Sequence, residues 1–177
     1  MTLDRTRGVE AQRMGTAMKF AASAPIILAL CLVAQAGRAQ GDEQIPYGSR
    51  AGMHLTTVSK QGIGTAHAVI RVKHTPKDAK AACVLYSQDY SMACVRATMA
   101  AVKVGDRVTA NCVNRTWTDM YGHSYAFLGV APPTDELKVV KYAVKDLKTG
   151  EILDGSSASG YPVELVIFQQ LCPGIAK

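Results

Sequence analysis

The 177 residues carry 20 Lys and Arg against 14 Asp and Glu, a formal net charge of +6, with 48% hydrophobic and 19% charged side chains. That balance excludes a disordered chain, and the length allows one domain with a substantial core while leaving no linker that would argue for two. The charge excludes a nucleic-acid footprint: residues 1–39 hold five basic and two acidic side chains, so half of the excess lies there, and no Lys/Arg cluster or stripe follows.

Arg13, Lys19 and the apolar run Ala24–Ala34 have the order of a secretory signal, with small residues at its exit. Cleavage after Ala36 or Ala39 fits, and Ala39 is favoured. Eleven apolar residues interrupted by Pro25 fall short of the ~20 that span a bilayer, so no permanent membrane anchor is expected. The leader is therefore 1–39, followed by a polar, mobile lead-in over 40–52 and a single domain over 53–177 in the periplasm or outside the cell.

Within that domain, Met53–Ser59 and Ala66–His74 read as strands separated by a turn at Gly62 and Gly64, the second strand placing Ala68, Ile70 and Val72 on one side. Thr75-Pro76-Lys77-Asp78 is a helix start with a capping Thr, an early Pro and an acid three residues on. Ala79, Ala82, Cys83 and Tyr86 then recur at helical spacing. After a polar break, Met92, Val95, Met99 and Val102 do the same, which predicts a helix hairpin. Arg107–Val113 is a strand with Val108, Ala110 and Cys112 on one face. Arg115–Thr118 and Ser124–Leu128 form a β-hairpin around Asp119-Met120-Tyr121-Gly122. Leu137–Leu147 is a strand returning through Glu151–Leu153. Tyr161–Leu171 is a helix apolar nearly all round, hence buried, ended by Cys172-Pro173-Gly174. The fold class is α+β: a mostly antiparallel β-sheet with an inserted helix hairpin and a buried C-terminal helix, the helices lying on one face.

Once a leader carrying Cys31 is removed, four cysteines remain in an oxidising compartment, which implies two disulfides. Three pairings are open. Cys83 with Cys94 fits the helix hairpin, leaving Cys112 with Cys172. No two cysteines are closer than eleven positions, which argues against a zinc site, and His54, His67, His74 and His123 show no ligand spacing either. No metal or other cofactor is expected. Gly155-Ser156-Ser157-Ala158-Ser159-Gly160 lacks the G-x-S-x-G pattern, and no histidine follows it. With no assembled nucleophile or acid/base set, the reading is a non-enzymatic binding or accessory protein for an envelope protein or small ligand. Arg115, Trp117, Tyr121 and His123, clustered on the β-hairpin, are the candidate contacts, since aromatic rings beside a basic group suit ligand and partner surfaces. The alternative is that Trp117, Tyr125 and Phe127 fill the core.

The stretches Ile45–Met53, Thr118–Gly122 and Asp154–Pro162 resemble segments of small exported proteins of Gram-negative bacteria that carry no assigned activity. The resemblance implies export and a compact fold, and no chemistry. Ser159-Gly160-Tyr161 is similar to the Ser-Gly loop of periplasmic lysozyme inhibitors, which implies enzyme inhibition as an alternative function. Apart from that resemblance, a small hydrolase using His123 or a reduced cysteine is the remaining alternative.

Overall fold

The computed structural model describes residues 44–132 and 140–177. The expected leader, the first residues of the lead-in and the start of the Leu137–Leu147 strand lie outside the described residues. Seven strands follow one another in a meander: β1 (Gln44–Pro46), β2 (His54–Gln61), β3 (Ala68–Lys73), β4 (Arg107–Asn111), β5 (Thr116–Thr118), β6 (Ser124–Val130) and β7 (Tyr142–Asp146). Each strand pairs antiparallel with the next, in the order β1 to β7. Helices α1 (Pro76–Leu85) and α2 (Met92–Ala101) are inserted between β3 and β4, and α3 (Tyr161–Leu171) ends the fold. The chain is α+β, as its pattern predicts.

Alternation sets the core. Ala68, Ile70 and Val72 of β3, Val108 and Ala110 of β4, Trp117 of β5 and Tyr125 and Phe127 of β6 all point inward and are buried. They close around Ile167, Phe168 and Leu171 of α3. Because α3 touches both edge strands, β1 and β7, as well as β3 and β4, the sheet curls around it. Rings stack through the middle: Trp117 and Phe127 both lie against Phe168, with centroids 4.8 and 4.9 Å away. The helix is not apolar-buried all round, since Val166 is exposed while Glu164 is buried.

The helices divide rather than share one face. Successive residues of a strand point to opposite sides. Leu55 of β2 joins the α3 core, whereas the Thr56 hydroxyl donates to Asp78 of α1 at 2.9 Å. The α1–α2 hairpin thus has its own small cluster of Ala79, Cys83 and Val95. Asp78 closes a capping box with Thr75 and also accepts from the Thr56 amide, so a fully buried carboxylate is surrounded by donors. Met92, expected inside, is exposed and starts α2.

Cys83 is bonded to Cys94 and Cys112 to Cys172. By loop-closure entropy these cross-links are worth about 3 and about 4 kcal/mol. The first staples α1 to α2, and the second ties the end of β4 to the end of α3.

The mobile lead-in is corrected from Gln44 onward. β1 pairs with β2 over Gln44–Pro46, and Ile45 and Tyr47 are buried in the main core. A three-residue edge strand with one inward apolar side chain is too short for its alternation to be visible in sequence.

Candidate functional site

The β5–β6 hairpin is built around one side chain. Asp119 is buried, and its Oδ1 accepts the backbone N–H groups of Tyr121 and His123, each at 2.8 Å. Its Oδ2 faces the His123 Nδ1 at 3.6 Å. Gly122 takes φ +83°, a left-handed conformation that suits glycine at this turn. The result is a fixed tip. Tyr121 is 49% exposed and the His123 side chain 56% exposed, their rings stacked with centroids 6.2 Å apart. The Tyr121 hydroxyl donates to the Tyr47 carbonyl at 2.8 Å, pinning the tip to the turn after β1.

Beside this tip lies a cleft of about 290 Å³ between the hairpin, the Gly48-Ser49 turn and the first turn of α3. Its walls include Tyr47, Asp119, Tyr121, His123, Tyr125 and Glu164, with Ser157, Ala158 and Gly160 on the rim. The rim loop is held by its own hydrogen bonds. Asp154 accepts the Ser156 amide, Ser156 Oγ accepts the Ser159 amide, and Ser159 Oγ donates to the Ser156 carbonyl. Bonding to Ser156 holds the Asp154 carboxyl below its ordinary range.

Glu164 gives the cleft its chemistry. It is 5% exposed, and its Oε2 accepts the indole N–H of Trp117 at 3.0 Å. Burial pushes its pKa up to about 8, against the opposing effect of the Trp117 hydrogen bond and with help from the negative charges of Asp119 and Asp146. Asp119 is also raised by burial, and the amides of His123 and Tyr121 pull it back. The Tyr121 and Tyr125 hydroxyls are both pushed up, chiefly by burial.

Of the four candidate contacts, the structure brings Tyr121 and His123 together at the cleft and separates the other two. Trp117 is 2% exposed and packs in the core, because its place on β5 alternates inward. It reaches the cleft only through Glu164. Arg115 is exposed at the far end of β5, with φ +56°, and is not part of the cleft wall. Asp119, Glu164 and Tyr47 are the residues that sequence reasoning missed. Asp119 carries a signal, since Asp followed three residues later by Gly is an Asx-type turn. Glu164 reads in sequence only as a first-turn acid.

Two other depressions differ in chemistry. One, about 470 Å³, spreads over the outer face of β3 to β6 and presents the short hydroxyls of Thr109, Thr116, Thr118 and Ser124. Another, about 350 Å³, shares the Gly48-Ser49 turn and contains Arg50 and His54. Neither combines buried ionisable groups with aromatic rings. Among the described residues no group of three or more His, Cys, Asp and Glu is placed to hold a metal ion, and no helix is long and apolar enough to cross a membrane. Comparison with protein-family models, with curated proteins and with solved structures finds no match.

Proposed function

We propose that this chain is an exported, non-enzymatic binding module whose contact surface is the Tyr121–His123 tip and the cleft behind it. One observation carries the reading: the buried Asp119 carboxylate fixes the backbone of both tip residues, so a half-exposed tyrosine and histidine are presented in one geometry. Ordering such side chains in advance lowers the entropic cost of association, and rigid aromatic groups are what binding surfaces use as anchors. The two disulfides support an oxidising compartment. A cysteine nucleophile does not fit, since Cys83, Cys94, Cys112 and Cys172 are all bonded in pairs, and Ser156 and Ser159 are engaged in loop hydrogen bonds.

Inhibition of a lysozyme-type enzyme is the sharper version of the same reading. It is favoured by the position of the Ser157–Gly160 loop on the rim of the cleft, where an inhibitory loop would be available to a partner.

The test is capture of partners from the protein's own cell envelope by wild type and by the Tyr121→Ala/His123→Ala variant. Wild type is expected to retain a partner that the variant loses, with stability lowered by about 2 kcal/mol through the Tyr121 hydrogen bond, its half-buried ring and the His123 contact with Asp119. A variant that keeps every partner would refute the assignment of the surface. A turbidity assay with lysozyme at the same concentrations separates the inhibitor version.

A further inference from the structure

Three carboxyl groups are buried among the described residues: Asp78, Asp119 and Glu164. Two are saturated by donors. Asp78 accepts from the amides and hydroxyls of Thr56 and Thr75. Asp119 accepts two amides and faces the His123 imidazole. Glu164 differs, having the Trp117 indole as its hydrogen-bond donor while forming part of the cleft wall. A buried carboxyl with so little compensation either keeps its proton or meets a positive charge. Tyr121 and Tyr125, whose hydroxyls feel the charge of Glu164, line the same cleft, and among the described residues no Lys or Arg does. Desolvated carboxyls next to aromatic faces form the arrangement that attracts an organic cation.

From this geometry we infer that the cleft receives an alkylammonium or guanidinium group, seated between the Glu164 carboxylate and the tyrosine rings. The inference rests on the binding reading above and names the ligand chemistry of the same site. Entry of the cation displaces the Glu164 proton to solvent, so a positive charge enters as a proton leaves and the charge of the site is conserved. The groups facing Glu164 act in known directions. Asp119 and Asp146 disfavour its ionisation, the Trp117 N–H favours it, and the negative charge of Glu164 in turn holds the Tyr121 and Tyr125 protons on. His123, where protonated, sits on Asp119 and opposes the incoming cation. The volume, about 290 Å³, accommodates the end of a side chain or a small amine rather than a large ligand.

The same head group could come from a free amine or from a lysine or arginine of a partner, and the test separates these sources. The mature protein is titrated, with NMR detection, with cadaverine as free amine and with N-acetyl-lysine methylamide and N-acetyl-arginine methylamide as side-chain mimics. N-acetyl-norleucine methylamide serves as the neutral control. The expected result is binding of one cationic class, with shifts at Tyr121, His123 and Glu164, and none by norleucine. With Glu164 titrating near 8, affinity should rise about ninefold from pH 6 to pH 7 and about fivefold from pH 7 to pH 8, and level off above pH 9. Glu164→Gln should remove that rise. Norleucine binding as well as lysine, or affinity that falls as the pH rises through 8, would overturn the inference, the latter because it marks a neutral acceptor held by the protonated acid. Absence of binding by all three cations at 50-fold molar excess and pH 9 would also overturn it. Tip-dependent capture of an envelope partner could persist in that case, so the two readings fail separately.

Discussion

Replacing Glu164 by Gln should make the protein more stable at alkaline pH while leaving it nearly unchanged in acid. Gln keeps a carbonyl oxygen for the Trp117 N–H and a similar volume, and removes only the ionisation. In the fold the Glu164 carboxyl titrates near 8, against 4.5 for the ordinary group. A folded pKa raised above the unfolded value means that the contribution to stability is fully present below about pH 4.5 and is lost as the pH rises through about 8. Each decade of proton affinity is about 1.4 kcal/mol, so between pH 5 and pH 8.5 the wild type should lose on the order of 4 kcal/mol through this one side chain. Glu164→Gln is spared that loss. Equilibrium urea unfolding at pH 5, 7 and 8.5, followed by the fluorescence of Trp117, the single tryptophan of the chain, measures the gap directly. For a domain of this size the gap at pH 8.5 corresponds to a melting shift on the order of 10 °C. A difference between variant and wild type that stays constant with pH would refute the reasoning, since it would mean that the buried carboxyl is ionised as readily in the fold as outside it.

Trp117→Ala should cost about 3–5 kcal/mol, because it empties the stack against Phe168 and Tyr125 and removes the donor to Glu164, whereas Tyr121→Phe, which loses one hydrogen bond, should cost about 1 kcal/mol. Asp78→Ala should cost roughly 2–4 kcal/mol in chemical denaturation, since it opens the capping box and strands the Thr56 and Thr75 donors. Cys112→Ala with Cys172→Ala should destabilise the domain by about 4 kcal/mol, more than the Cys83/Cys94 pair, which closes the shorter loop. Intact mass of the protein recovered from its own host should place the mature start at Gln40, and an unprocessed Met1 would contradict export.

Much of this fold is legible locally. The capping box at Thr75 and Asp78 names both the start of α1 and its first buried acid, and the alternation of Ala68, Ile70 and Val72 assigns the inner face of β3. The hairpin is visible from Asp119 and Gly122, whose turn chemistry lies within four residues. The cleft is not legible in the same way, because it depends on distance in sequence collapsing in space. Trp117 and Glu164 meet across 47 positions and Tyr121 reaches Tyr47 across 74, and both contacts follow from α3 settling into the curl of the sheet. An acid in the first turn of a helix is ordinary in sequence, since the helix N-terminus favours negative charge. Only the packing of α3 against β5 and β6 shows that this acid is desolvated. The company of Tyr121 and His123 makes Trp117 a candidate contact in sequence, whereas the pleat of β5 turns it into the core, as the alternative reading expects.

The measurement that bears most directly on the account is an NMR footprint of a captured envelope partner on the isotope-labelled mature domain. Perturbed resonances are expected at Tyr121, His123, Glu164 and the Ser157–Gly160 rim, with the core signals of Ile70 and Val108 unmoved. A footprint confined to the hydroxyl-lined outer face at Thr109, Thr116 and Ser124, or to the exposed turn of the helix hairpin between Tyr86 and Met92, would contradict it.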